Sequence, residues 1–379
     1  MSKSDSSLTH YYGLPNSAAQ AYFVCKQLLH TITLFVSNQD LDDFDHAAME
    51  FSPDHTKLLS FPSTDTGQMC FLHQLLCTNS QKLLISTSYE GLSTPLPALS
   101  EFKKRTRVFR RGDTLRRQDV LDALEQAGYT RDDYAETPGQ YAARGSVVDI
   151  FCLHLSNPLR LYFAGNRIEA INAFDVDTQN LGTLADEALI LPLSFEQKPA
   201  VLTDYLQNAF YVFDTPAEDF NVSLYPQAAI ISSLPSAQAI NCNLKKNLSF
   251  GGNTTLLAQE VKRLLDQHIH VVITCLNRGE LDRITDLLDS LEVFKRVEFK
   301  ISPLTQGFID EKNHLAYITS NEILNRHFST TRVLKRFDVE HAKRVRFKEL
   351  QPGDYVVHRD FGIGRYEGLE IMNQAENPT

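Results

Sequence analysis

The chain has 379 residues, too many for one ordinary core, so two to four domains are expected. It is 42% hydrophobic and 22% charged, as soluble globular proteins are. No apolar run approaches the roughly 18–20 residues that cross a bilayer, and residues 1–7 lack the apolar core of a signal peptide. The formal net charge of −10 argues against a chain that coats DNA as a whole. Cysteines at 25, 70, 77, 152, 242 and 275 include no CxxC pair, so reduced thiols in a cytoplasmic protein are expected and no metal site is implied.

In chain order, Gly13-Leu14-Pro15-Asn16-Ser17 is turn punctuation, and Ser17 is placed to cap a helix over 17–29. β-rich apolar runs follow at 31–36, 57–61 and 82–86, and their alternation with helical stretches predicts a mainly parallel α/β layer. Lys103, Lys104, Arg105, Arg107, Arg110, Arg111, Arg116 and Arg117 crowd the next stretch. Either a solvated surface or a face for nucleic acid or an acidic partner fits them. Residues 114–128 predict an amphipathic helix with Leu115, Val120, Leu121, Leu124 and Ala127 inward and Gly128 at its stop. Strands on either side of the Ala164-Gly165-Asn166 turn read as a hairpin in a small antiparallel sheet.

Runs at 209–213 and 228–232 are candidates to rejoin the first sheet. After Gly251-Gly252-Asn253 a small α/β unit is expected, with helices at 255–267 and 280–291 and strands at 270–274, 297–301 and 315–319. Residues 337–350 read as a charged linker or helix. A second basic cluster lies here: Arg332, Lys335, Arg336, Lys343, Arg344, Arg346 and Lys348. Pro352-Gly353-Asp354 is a turn before the strand Tyr355-Val356-Val357, and Gly362, Gly364 and Gly368 permit the bends of a small barrel.

Two phrases carry a family resemblance. Gly139-Gln140-Tyr141-Ala142-Ala143-Arg144-Gly145-Ser146-Val147-Val148-Asp149-Ile150-Phe151, with the strands after it to about residue 179, resembles the domain 2 signature of the excinuclease helicase UvrB and of the bacterial transcription-repair coupling factors (Mfd). The phrase from Pro352 through His358 to Gly362-Ile363-Gly364-Arg365-Tyr366 is similar to the opening of the coupling factors' RNA polymerase-interacting domain, which CarD-type regulators share. Gly13 to Gln20 falls where UvrB carries its phosphate loop, GxxxxGK[ST]. That chemistry needs a lysine on the phosphates and a hydroxyl on Mg²⁺, and Ala18, Ala19 and Gln20 occupy the corresponding places. The coupling factors depart from UvrB in the same way.

The resemblance implies an α/β multidomain fold. A degenerate P-loop NTPase-like parallel sheet (domain 1a, 1–106; shortened domain 1b, 193–250) would hold an inserted α+β domain 2 (107–192). A small α/β domain 3 (251–335), a linker (336–350) and the start of a CarD/Tudor-like β-barrel (351–379), incomplete in this span, would follow. It implies a non-catalytic adaptor that recruits the excinuclease protein UvrA to stalled RNA polymerase. Arg144, Arg160 and Phe163 would meet UvrA, and His358, Arg365 and Tyr366 the β chain of the polymerase. The alternative for Arg144 is a brace on Asp149 or Asp175, and for Phe163 a place in the core. The family commonly reads Phe-Phe-Gly-Asp-Glu-Ile where this chain reads Phe163-Ala164-Gly165-Asn166-Arg167-Ile168, so an aromatic anchor is missing at Ala164. Gly13, Ala18, Ala19 and Gln20 mark the degenerate loop, and no cofactor is expected in this span. ATP, Mg²⁺ and DNA engage the translocase motor of the full-length family, and no membrane partner is implied. His154, His270 and His314 accompany no nucleophile motif. The other readings are a UvrB-type helicase, against which Ala19 stands, and a CarD-like regulator.

Overall fold

The runs Ile32–Val36, Lys82–Thr87 and Phe210–Asp214 have apolar centres and are buried at every position but the first, as strands covered on both faces are. In a computed structural model, which describes residues 8–39, 41–225, 227–235, 238–288, 292–325, 355–358 and 362–365, they lie side by side in a parallel sheet. The chain divides into residues 1–329 and 330–379.

The first pass through this sheet contains β1 (Thr9–Tyr12), α1 (Ser17–Phe23), β2 (Ile32–Val36), α2 (Leu41–Phe51) and β3 (Thr56–Ser60). Then come α3 (Asp65–Cys77), β4 (Lys82–Thr87), α4 (Tyr89–Ser93) and α5 (Leu99–Arg105). The chain leaves through β5 (Arg107–Arg110) into α6 (Arg117–Gln126), β6 (Thr130–Arg131), β7 (Gln140–Arg144), β8 (Val147–Ile150), β9 (Leu159–Ala164), β10 (Arg167–Phe174) and β11 (Leu181–Leu184). It returns through β12 (Glu187–Ile190), which pairs antiparallel with β5. Then β13 (Phe210–Asp214), β14 (Ala228–Ile231) and β15 (Ile240–Asn241) complete the first sheet in the order β15-β1-β14-β13-β2-β4-β3, with every pairing parallel. Side chains alternate between two cores. Phe35, Leu84 and Val212 face α1 and α2, and Leu34, Val36, Ile85 and Phe213 face Met69, Leu72 and Leu92.

The inserted sheet runs β11-β10-β9-β8-β7-β6, antiparallel except for β6 with β7. α6 packs Val120, Leu121 and Leu124 on one face of it. Helix α6 is shorter than the periodicity predicts. Thr114 bridges to Arg167, and the Leu115 N–H donates to the Asn166 carbonyl at 2.7 Å, so tertiary pairing takes the segment before Arg117. Gly128, at φ +88°, stops the helix as expected.

A third sheet is built from β16 (Leu244–Lys246), β17 (His270–Cys275), β18 (Glu298–Ile301), β19 (Phe308–Asp310) and β20 (Leu315–Thr319), in the order β16-β19-β20-β17-β18. Its helices are α7 (Thr254–Asp266), α8 (Arg278–Leu288) and α9 (Ser320–Leu324). β16 lies upstream of the Gly251-Gly252 turn where the sequence places the start of this unit. Leu304 and Phe308 reach into the core around α1, so the third sheet packs on the first.

In the second unit, β21 (Tyr355–His358) and β22 (Gly362–Arg365) form an antiparallel hairpin. His358 stands opposite Gly362, and Arg365, which is exposed, stands opposite Tyr355. Tyr366, the 337–350 linker and the basic cluster at 332–348 lie outside the described residues.

A candidate docking face on the inserted sheet

Register sorts the inserted sheet into two faces. The rows Tyr141–Ile150–Leu159–Ala173 and Ala143–Val148–Leu161–Ile171 turn toward α6 and are mostly buried. The rows Ala142–Asp149–Arg160–Asn172 and Arg144–Val147–Tyr162–Ala170 form the opposite, outer face. Arg144 and Arg160 therefore share one face, and their surroundings differ.

Arg160 is fixed. Its Nε donates to Asp149 Oδ1 at 2.7 Å and its Nη2 to Asp149 Oδ2 at 2.9 Å, a two-point fork across β8 and β9. Nη2 also donates to Gln179 Oε1 at 2.9 Å, and Cζ sits 4.3 Å from the Phe174 ring centre. The side chains of Arg160 and Asp149 are only 18% and 8% exposed. The hydrogen bonds to Asp149 raise the guanidinium's pKa above its usual value and keep it ionised despite burial. The brace on Asp149 is thus Arg160, where the sequence offered Arg144.

Arg144 is exposed at the end of β7. It donates to the Asp133 carbonyl and lies 4.2 Å over the Tyr134 ring. Neither partner neutralises its charge. Phe163 is 7% exposed and belongs to the core beneath the sheet, so it supports β9 from inside and offers no ring to solvent. Ala164 is exposed at the hairpin tip, followed by Gly165 at φ +61°. Tyr134 had no signal in the sequence pattern, because it comes from the loop between β6 and β7.

The basic stretch near α5 and α6 is largely paired locally. Arg110 meets Glu187 at 3.2 Å, Arg111 meets Asp186 at 3.1 Å and Arg116 meets Asp119 at 2.7 Å. Arg105 donates to the carbonyls of Gln126 and Ser194. Such pairing favours a solvated surface over a nucleic-acid track.

The segment Gly13–Gln20 lies at the opening of α1, with Leu14, Ala18, Ala19 and Gln20 each at most 3% exposed. Asn16, not Ser17, caps the helix: its Oδ1 accepts from the Ala19 N–H at 2.9 Å, while its Nδ2 donates to the Gly307 carbonyl at 2.8 Å. The Ala19 N–H, one of the groups that would cradle a phosphate, is therefore taken by Asn16, whose side chain is anchored in turn on Gly307 just before β19. Gly307 is held in turn by Glu322, whose Oε1 accepts from the Gly307 N–H at 3.1 Å and whose Oε2 accepts from the Thr319 N–H at 2.8 Å. Gln20 donates to Asp214 Oδ1 at 3.1 Å and Ser37 to Asp214 Oδ2 at 2.8 Å. Burial pushes the Asp214 carboxyl up, and the donors Ser37, Thr215 and Gln20 pull it back.

His270 pairs with Glu298 at 2.9 Å on the surface, and the His314 carbonyl accepts from the His270 N–H. Among the described residues no group of three His, Cys, Asp or Glu side chains is placed to hold a metal, and no helix is long and apolar enough to cross a membrane.

A six-stranded sheet let into a parallel α/β layer, with cationic groups on its outer face, is the setting in which the comparisons fall. Residues 108–195 match the family model described as UvrB interaction domain, and residues 350–378 match the CarD-like/TRCF RID domain. Relatives of the chain include transcription-repair-coupling factors. It is 22% identical over 414 residues to that of Bacillus subtilis (strain 168), covering 78% of this chain and 35% of the relative. It is 20% identical over 413 residues to that of Staphylococcus haemolyticus (strain JCSC1435), covering 79% and 35%. The chain thus spans about a third of the length of the curated relatives it matches.

Proposed function

We propose that this chain is the N-terminal region of a transcription-repair coupling factor and works as an adaptor that recruits UvrA to a stalled RNA polymerase. The observation that carries the reading is the outer face of the inserted sheet, within the residues that match the UvrB interaction domain. Arg144 meets a carbonyl and a ring there and, among the described residues, no ion-pair partner, Arg160 is held rigid two strands away on the same face, and Phe163 stiffens β9 from below. An exposed guanidinium on a preformed sheet suits a carboxylate on a partner at little ordering cost.

The parallel sheet serves as scaffold, a nucleotidase-like layer without nucleotide chemistry. Ala19 stands where a phosphate lysine belongs, and Asn16 occupies the helix start. Both features weigh against the helicase reading. Residues 107–192 form the docking module, 251–335 a third domain that braces the first sheet through Leu304 and Phe308, and 351–379 open a polymerase-binding barrel in which His358, Arg365 and Tyr366 contact the β chain of RNA polymerase. ATP, Mg²⁺ and DNA engage parts of the full-length protein outside this span, and the protein works in the cytoplasm.

The test is calorimetric titration of UvrA into the chain, with Arg144→Glu as the variant. Binding in the parent, weakened at least tenfold in the variant with an unchanged melting temperature, supports the reading. A parent that does not bind UvrA overturns it.

A further inference from the structure

The edge strand β11 carries two large apolar side chains in water: Leu181 is 53% exposed and Leu184 is 61% exposed. Residues three apart on a regular strand point to opposite faces. Here they do not. Leu184 stands opposite Asn172 and Leu181 opposite Phe174, so three steps on β11 match two on β10. The extra residue on β11 gives the register shift the count of a β-bulge, and such shifts commonly re-aim a side chain at a sheet edge. It brings both leucines to the face that holds Asn172, Arg160 and Phe174. Leu184 extends the row Ala142–Asp149–Arg160–Asn172, and Leu181 lies beside Phe174, the ring under the Arg160 guanidinium.

We propose that Leu181 and Leu184 form an apolar anchor for the same partner that Arg144 engages, so that UvrA docks across the whole width of the sheet. This rests on the adaptor function above. The face has two ends. At one, Arg144 presents a charge that calls for an acidic group. In the middle, Asp149 already neutralises Arg160, leaving little net charge. At the other end the leucine pair offers apolar area. Four interstrand steps of about 4.8 Å separate β7 from β11, so the two ends lie roughly 19 Å apart, within the span of an ordinary protein interface. The matching partner surface carries an acidic side chain facing Arg144 and, that distance away, an exposed apolar residue seated on the bulge.

The experiment uses the full chain with purified UvrA and compares the parent, Arg144→Glu, the double variant Leu181→Ser/Leu184→Ser and the conservative pair Leu181→Met/Leu184→Met. Affinity is read at low and high salt, and mass by sedimentation. The double serine variant is expected to bind at least tenfold more weakly at both salt concentrations, with an unchanged melting temperature, while the methionine pair binds as the parent does. The Arg144→Glu defect should shrink as salt rises, because only that end is electrostatic. If the serine variant binds as well as the parent while Arg144→Glu does not, the leucine anchor is wrong and the adaptor function stands. If the serine substitutions convert a self-associated chain to monomer without changing UvrA affinity, a second copy is the occupant and the proposal falls. A parent that fails to bind UvrA removes both.

Discussion

Removing one member of the Asp149–Arg160 pair should unlock the inserted sheet locally. In Arg160→Ala the Asp149 carboxylate, 8% exposed, loses both N–H donors of the fork while remaining under the face. Stranding a buried charge costs about 3–5 kcal/mol, and the lost stacking on Phe174 adds about 0.5–1 kcal/mol. Asp149→Ala should cost less, about 2–3 kcal/mol, because the long Arg160 side chain can carry its charge out to water. The double alanine variant should cost less than the two singles together, by about 2 kcal/mol or more, the coupling that defines a mutual pair. A chain of several domains does not unfold in one step, so the assay is amide hydrogen exchange along β8, β9 and β10 under mild urea. Arg144→Ala, exposed and held by a carbonyl and a ring, should stay within about 0.5 kcal/mol of the parent. Equal, small effects at Arg144 and Arg160, or strict additivity of the two single variants, would refute the brace.

Three further outcomes follow from the geometry. Burial pushes the Asp45 carboxyl up to about 6 against the pull of the Ser86 and Ser60 hydroxyls. Its raised value favours the folded state fully below about pH 4, and that contribution is lost as pH rises through about 6. Asp45→Asn should therefore stabilise the chain by roughly 1–3 kcal/mol at pH 7.5 and change little at pH 4, as read by paired denaturant titrations. Titration with Mg·ATP should give no heat in the parent or in Ala18→Gly/Ala19→Lys/Gln20→Thr, because the start of α1 is capped by Asn16 and covered by Gly307; the triple variant should also melt lower, since it buries a lysine at a site with no exposure. Gly307→Ala would set a Cβ 2.0 Å from the Tyr317 carbonyl oxygen and 2.5 Å from Asn247 Nδ2, so a loss of about 1–3 kcal/mol in thermal unfolding is expected.

Much of the scaffold was legible because buried parallel strands leave predominantly apolar runs, as at Ile32–Val36 and Phe210–Asp214. The Gly165-Asn166 turn likewise marks the β9–β10 hairpin in the sequence. What escaped depends on register and on distant partners. Asp149 meets Arg160 only because the connection from β8 to β9 sets those two residues opposite each other. The cap at Asn16 displaces the Ser17 expectation because its other edge is satisfied by Gly307, 291 residues along the chain. Strands such as Leu244–Lys246 and Ile240–Asn241 are too short to show a period of two. The bulge that gathers Leu181 and Leu184 leaves no mark in the sequence beyond an ordinary run of small and apolar residues.

The β5–β12 ribbon has a consequence for how such a chain is assembled. Arg107 and Ile190 are direct neighbours across it, so the way out of the parallel layer and the way back are one interstrand spacing apart, about 5 Å. A short turn joining those two positions would heal the layer after the insert is cut away. The same two ends would graft the insert onto any scaffold that presents two adjacent antiparallel strands. The inserted sheet is thus a portable cassette, whose host can lose or change its own chemistry without moving a residue that the cassette presents.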